Sequence, residues 1–364
     1  VAIRTVIVTG SAGLVGSECV RFFAAMGFHI VGMDNNSRGV FFGRTAGTLL
    51  NLKSLVDEVD EYSHRHVDIR DTDKIPAIFD SLNDVEAVIH CAAQPSHDWA
   101  AKDPFTDFDI NARGTLNLLE ATRKYCPKAA FVFMSTNKVY GDQPNVPWFR
   151  YVDDGSRLDL VCCESLETEM WGSADGFNED MPVDQCKHSL FGCSKLAADL
   201  YVQEYGRYFG MNTACFRGGC LTGPAHAGTQ LHGFLSYLVK CCVEGIPYKI
   251  IGYGGKQVRD NIHSADLVAA FWEYIQNPKP AAVYNIGGGR ENSCSVLEAI
   301  AMVEELSGKK MQTEFVDEPR QGDHKWWISD TSKFQADYPN WKQKYTLRQT
   351  LAEMVEAAQR KAAA

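Results

Sequence analysis

Twelve cysteines occur in this 364-residue chain without a single C-x-x-C pair, which removes the commonest spacing for zinc ligation or dithiol redox chemistry. Cys19, Cys91, Cys215 and Cys241 stand inside apolar runs, where cysteine behaves as a small buried hydrophobe, so reduced thiols and a cytoplasmic setting are expected. No apolar run approaches the roughly 20 residues that span a bilayer, so no membrane partner is expected. The opening "VAIRTVIVTG" reaches its glycine too soon for a signal peptide and reads as a buried strand. Basic residues are outnumbered: 36 Lys and Arg against 46 Asp and Glu leave a net charge of −10, which argues against nucleic-acid binding. An anionic small substrate is still compatible if a few arginines gather in one place. Internal repeats and low-complexity segments are lacking too, and "CKH" at 186–188 is too short a constellation to ligate a metal.

What is present is an alternation. Short β-branched runs ("TVIVTG", "HIVGMD", "HRHVDI", "EAVIHCA", "AFVFMST") are separated by amphipathic stretches such as 16–26 and 112–125. That pattern predicts an α/β fold with a parallel sheet covered on both faces. From about 145 to 185 the chain turns to acids, aromatics and turn residues without periodicity, as a lid or mobile loop would. A helical pattern resumes at Phe191. The expected division is a dinucleotide domain over 1–215 that includes this lid-like insertion, and a smaller lobe over 216–364, partly interleaved with it.

"VIVTGSAGLVGSECV" puts Gly10, Gly13 and Gly16 after a strand and at the opening of a helix. Gly10 permits a tight turn, Gly13 clears space for a pyrophosphate, and Gly16 lets helix and sheet approach. The helix N-terminus then offers N–H groups and a positive dipole end to the phosphates. The next strand ends in Asp34, followed by Asn35, placed for the ribose hydroxyls. A carboxylate there repels a 2′-phosphate, so NAD is expected over NADP, although Arg38 nearby is a group that accommodates such a phosphate. Asp68 and Ile69 are candidates to border the adenine, and Ala92, Ala93 and Gln94 to lie along the cofactor. Simple strand-end packing is the competing reading for each.

The T-G-x-x-G-x-x-G spacing, with "HCAAQ", "NARGTLNLLEA", "FMSTNKVYGD", "RDNIHSADL" and "YNIGGG", resembles the extended short-chain dehydrogenase/reductases over essentially the whole chain. "STNKVYGD", "FGCSKLAAD", "GKQVRDNIHSADL" and "GFNEDMPVD" resemble the nucleotide-sugar epimerase branch, in particular the 2-epimerases of CDP-sugars. The resemblance implies a Rossmann-type doubly wound sheet of about seven strands with a smaller C-terminal substrate lobe. It implies tightly held NAD, oxidation of the sugar C2 hydroxyl to a ketone, and hydride return to the opposite face. A homodimer or homotetramer is the family expectation. UDP- or CDP-sugar 4-epimerisation and 4,6-dehydration are the neighbouring activities; the dehydratases place an acid directly after the catalytic threonine, where this chain has Asn137.

The resemblance maps catalytic roles onto Thr136, position 191 and Lys195. In "HSLFGCSK" the Tyr-x-x-x-Lys spacing ends correctly at Lys195, yet position 191 is Phe, which neither donates nor accepts a proton. Three readings stand: a native residue with water, Lys195 or Cys193 moving the proton; a substitution that traps ligand; or a protein that binds NAD and nucleotide-sugar without turnover. Lys195 would hold the nicotinamide ribose and Thr136 the sugar. For the substrate, the resemblance assigns Arg259 to the diphosphate and Arg320 to the ribose and phosphates, where guanidinium forks suit phosphate oxygens, with Asn137 as a further contact; His232, in a segment read as covering the base and sugar, is read either as a substrate contact or as lobe packing. Arg217 is read either near the nicotinamide or as packing. Glu179 and Asp180 are read as a charged helix approach, and His188 as a cap or surface residue. Trp148, Phe149 and Trp171 either close over the sugar or anchor the loop.

Overall fold

The structure, a computed structural model, describes residues 4–43, 46–147, 149–163, 171–230, 232–319 and 322–363. Arg320 and Trp148 lie outside the described residues. The chain forms two compact units, one of residues 1–139, 190–217 and 267–284, the other of 140–189, 218–266 and 285–364.

The first unit is built on β1 (Thr5–Thr9), α1 (Leu14–Ala25), β2 (His29–Met33), α2 (Ser37–Phe42), α3 (Leu49–Glu58), β3 (Tyr62–Arg65), α4 (Lys74–Asp80) and β4 (Val85–His90). There follow α5 (His97–Lys102), α6 (Pro104–Phe108), a π-helical turn over Asp109–Arg113, α7 (Gly114–Tyr125) and β5 (Ala130–Thr136). The Leu190–Phe209 helix, the Thr213–Gly218 strand, most of the Ser264–Gln276 helix and the Ala282–Ile286 strand complete it. All five residues of β1 are buried, as expected of a strand with both faces covered. The seven strands run Ala282–Ile286, Thr213–Gly218, β5, β4, β1, β2, β3. The pairs β3–β2, β2–β1, β1–β4 and β4–β5 are parallel. Strand order reverses between β1 and β4, which opens a crevice at their carboxyl ends. This is the Rossmann-type doubly wound arrangement. Ile7, Val31, Val88, Leu118, Phe131, Phe133 and Val202 form its core, each contributing about 1.5–3 kcal/mol by burial.

In the second unit the Val258–His263 strand is central. It pairs with Cys220–Thr222, Ser293–Ser295 and Trp326–Trp327. Helices Phe234–Glu244, Val296–Ser307 and Leu347–Ala363 bury Leu238, Val303 and Leu351 against one another. The Val296–Ser307 helix opens with a capping box between Ser295 and Glu298.

The stretch read from sequence as a lid-like loop carries two short hairpins. Phe149–Asp153 pairs with Leu158–Cys163, and Gly172–Ser173 with Gly176–Phe177. Phe149 packs on Phe177, which also meets Trp326, and Leu158 N donates to the Lys256 carbonyl. These contacts fasten the segment to the second unit, whereas the sequence reading attached it to the first domain. Hairpins this short, held by aromatic contacts with residues far along the chain, leave no periodic signature. Residues 267–284 likewise return to the first unit rather than staying with the C-terminal lobe.

Candidate active site

The three glycines act differently. Gly10 has φ +66°, and a Cβ there would stand 2.8 Å from Ala92 N, so the turn presses against the end of β4. At Gly16 a Cβ would meet the Gly10 carbonyl oxygen at 2.1 Å, which only glycine tolerates. At Gly13 the sole neighbour would be that same oxygen, at 3.2 Å, leaving the rest of the space above the turn open. Gly13 is also the N-cap of α1 and provides no side-chain cap. An uncapped helix N-terminus beneath open space suits a pyrophosphate. Beside it, the Tyr62 hydroxyl bonds Ser11 Oγ at 2.8 Å, and burial pushes that phenol up to about 12. Gly32 makes room for this ring: a Cβ would lie 2.3 Å from Tyr62 Cε2.

The acidic end of β2 is fixed from several sides. The Asp34 carboxylate accepts from Ala12 N at 3.2 Å, Asn36 N at 2.7 Å and Thr48 Oγ1 at 3.2 Å. Asn35 Nδ2 donates to Asp68 at 2.9 Å, and Asp68 is forked by Arg70. Burial raises the Asp68 carboxyl, but the hydrogen bonds and charge of Arg70 outweigh it and leave it below its ordinary value. Arg38 lies over the Phe42 ring at 4.9 Å, and burial lowers it to about 10. Ile69 is buried against Gly114.

Beyond β4, Ala92 N donates to Thr9 Oγ1 and Ala93 is half-buried. Gln94 is fully buried and committed to protein partners: its N donates to Asn111, its Nε2 to the Ser96 carbonyl and Asp107, and its Oε1 accepts from Ser96 N. Asn111, in the π turn, reaches Asp107 and Ser194. Gln94 thus braces the loop through its side chain, where the sequence reading had it lining the cofactor or packing at a strand end.

Thr136 ends β5, its Oγ1 accepting from Lys138 N at 3.2 Å and facing Asn137 Oδ1 at 3.4 Å. Lys195 is buried on the Leu190–Phe209 helix and donates to the Met134 carbonyl at 2.8 Å, two residues before Thr136. Burial lowers its ammonium to about 8. Phe191 stands one turn earlier on the same helical face and packs against His97, ring centroids 5.0 Å apart. Arg217 forms a buried ion pair with Asp199, which also accepts from Ser135 and Gln203.

In the second unit, Arg259 pairs with Asp323 and donates to the His324 carbonyl at 2.5 Å. His232 packs edge-to-face on His226, Glu179 accepts from Asn285 N at 2.6 Å, and His188 lies 3.7 Å from Cys186 Sγ.

The chain matches the NAD dependent epimerase/dehydratase family over residues 6–159 and 154–287. The chain belongs to this family. Its cofactor is NAD, and the glycine turn with its uncapped helix fits that group. CDP-paratose 2-epimerase of Salmonella typhi is 30% identical over 358 residues, covering 96% of this chain and 98% of that protein. dTDP-glucose 4,6-dehydratase of Shigella flexneri is 28% identical over 370 residues, 96% of this chain and 91% of that one. UDP-glucose 4-epimerase of Thermus thermophilus in complex with NAD superposes with a TM-score of 0.75 at 24% identity, covering 97% of this chain and 98% of that one.

For a member of this epimerase/dehydratase family, two features escaped the sequence reading: His97 and the buried Gln94–Asp107–Asn111–Ser194 cluster. His97 opens the helix that follows "HCAAQ" at the end of β4, and ligands in such folds bind outside the carboxyl ends of the strands. That positional rule was the available signal. The cluster had none, since it joins residues as far apart as 94 and 194.

Proposed function

We propose that this enzyme inverts C2 of a CDP-sugar through a transient 2-keto intermediate. The observation that carries the reading is the 30% identity with a CDP-paratose 2-epimerase along nearly the full length of both chains. Asn137 supports it against 4,6-dehydration, whose enzymes resemble this segment but have an acid there. When bound, NAD supplies a hydride acceptor and donor. Gly10, Gly13 and Gly16 with the α1 N-terminus hold its pyrophosphate; Asp34 and Asn35 orient its adenosine ribose, and Lys195 its nicotinamide ribose. Thr136 donates to the sugar hydroxyl, and Arg259 and Arg320 bind the diphosphate, with Asn137 and His232 as further substrate contacts. A homodimer or homotetramer in the cytoplasm completes the reading, a setting that suits reduced thiols such as Cys19, Cys91 and Cys215.

A second reading is favoured by one observation, Phe191: an NAD- and nucleotide-sugar-binding protein without turnover. Incubation with a panel of CDP- and UDP-sugars in deuterated water, followed by NMR of the sugar, separates the possibilities. Inversion at C2 without deuterium at carbon supports the proposal, because the hydride removed is the one returned. Inversion at C4 moves the assignment to the 4-epimerases, and deuterium at carbon to the dehydratases. Binding without conversion favours the second reading.

A further inference from the structure

Oxidation of a sugar hydroxyl to a ketone releases a proton from oxygen as the hydride leaves carbon, so a group with a suitable pKa must stand at that oxygen. Phe191 has no proton to exchange. An imidazole lies against it: His97, the first residue of α5, packs edge-to-face on the Phe191 ring with centroids 5.0 Å apart and planes at 62°. We propose that His97 is the acid/base residue of this site, taking the hydroxyl proton on oxidation and returning it on reduction. The proposal rests on the epimerase reading above.

The fold delivers His97 to the right place. It follows β4, one of the two strands at which sheet order reverses, and α5 packs on the helix that carries Phe191 and Lys195. Its loop is built rather than loose. Gln94 clamps Ser96 through two hydrogen bonds, at 2.9 and 2.6 Å, while Asp107 anchors Gln94 at 2.7 Å. Ser96 Oγ then caps α5 by accepting from Trp99 N at 3.2 Å. A half-buried imidazole is thereby held on one side of Phe191 by a fully buried polar network, the kind of support that a positioned acid/base requires.

Other groups of this unit are less suited. Lys195 is buried and donates to the Met134 carbonyl. Cys193 lies at the surface, and the partial desolvation of its thiol, with the Asp107 charge, pushes it up, away from thiolate. Asp107 is enclosed, shared by Gln94 and Asn111. Asp98 and Lys102 lie on the same helix as His97; of the elements packed on α5, α6 carries Asp107 with Asp103 at its N-cap, and the first turns of the Leu190–Phe209 helix carry Cys193 and Lys195. Imidazole is the side chain whose ordinary pKa lies between pH 5 and 8.

The step balances. The C–H and O–H bonds of the carbinol break and a C=O bond forms; two electrons leave carbon with the hydride, which passes to bound NAD, and the proton passes to a ring nitrogen of His97. After the keto-sugar has turned, hydride returns to carbon and the His97 proton to oxygen.

The test uses NAD-loaded wild type, His97→Gln, Phe191→Tyr and the double variant, with CDP-glucose and UDP-glucose as probes. His97→Gln should lower kcat by about 10²–10⁴-fold with NAD content and probe affinity unchanged. The wild-type kcat should rise with pH along an imidazole limb that His97→Gln lacks, and the double variant should recover turnover through the new phenol. Independently of turnover, NMR of wild-type protein should show the His97 titration midpoint moving when a probe binds. A His97→Gln enzyme as fast as wild type, or a His97 titration unmoved by bound nucleotide-sugar, overturns the proposal and makes the ring contact ordinary packing. If neither probe binds any of the four proteins, the epimerase reading itself fails, and this proposal with it.

Discussion

Lys195 donates from Nζ to the Met134 carbonyl at 2.8 Å while lying 4.0 Å from the centre of the Phe133 ring. One backbone acceptor and one aromatic face meet it in a fully buried position, and its pKa falls to about 8 because burial disfavours the charge. The ammonium is therefore retained at a cost to the fold, as at a site kept for ligand binding rather than stability.

A pH-dependent stability difference follows. With a folded pKa of about 8 against the ordinary 10.5, the charged form is penalised fully below pH 8, and the penalty disappears as pH rises to 10.5. The gap corresponds to about 3 kcal/mol. Urea melts of wild type and Lys195→Met should show wild type gaining by about that amount, relative to the variant, between pH 8 and 10.5. A constant difference across that range would mean Lys195 is not desolvated.

His90 should act in the opposite pH range. Buried in β4, it bonds Thr9 Oγ1 at 2.7 Å and Thr115 Oγ1 at 2.9 Å. Thr115 donates onward to the Asn111 carbonyl, so its oxygen accepts from His90 and assigns the imidazole proton to Nε2. Burial, with the Lys195 charge second, lowers its pKa well below the ordinary 6.5. The unfolded chain takes up a proton at about 6.5 that the folded chain refuses, so this contribution to stability is present above that pH and lost below it. The His90 ring should show no NMR titration down to pH 5, and wild type should lose stability more steeply than His90→Gln from pH 7 to 5.

The glycines separate folding from cofactor binding. Gly16→Ala forces a Cβ to 2.1 Å from the Gly10 oxygen and should cost several kcal/mol, seen as a large drop in Tm. Gly13→Ala meets that oxygen at 3.2 Å, a tight contact that a shift of a few tenths of an ångström relieves, so it should lower Tm far less than Gly16→Ala while losing NAD affinity by about tenfold or more, about 1.4 kcal/mol. Undiminished NAD retention in Gly13→Ala would place the pyrophosphate elsewhere.

Arg259 should matter to the nucleotide and hardly to NAD. Arg259→Ala is expected to weaken binding of a nucleoside diphosphate by about 1.5–3 kcal/mol, the loss of one charge-assisted phosphate contact. Calorimetry reads this directly. Because Arg259 is paired with Asp323, Asp323→Asn should alter the same affinity, and an Arg259→Ala protein with unchanged affinity would show that the diphosphate is bound by other groups.

The alternation of strands and helices from β1 to β5, the glycine turn, Asp34 and the break in the Tyr-x-x-x-Lys pattern were all legible in the chain. These are local signals: apolar periodicity, a glycine where a Cβ would clash with its own turn, a missing hydroxyl at a fixed helical spacing. What they could not show was which of two readings each polar side chain takes. Arg217 pairs with Asp199, Gln94 bonds Ser96 and Asp107, and Phe177 packs on Trp326 and Trp327. Each choice depends on partners that the packing brings together, because a buried polar group takes whatever donor or acceptor lies within reach. For the same reason the sequence could report that Phe191 lacks a proton, and only the tertiary structure could place His97 against it.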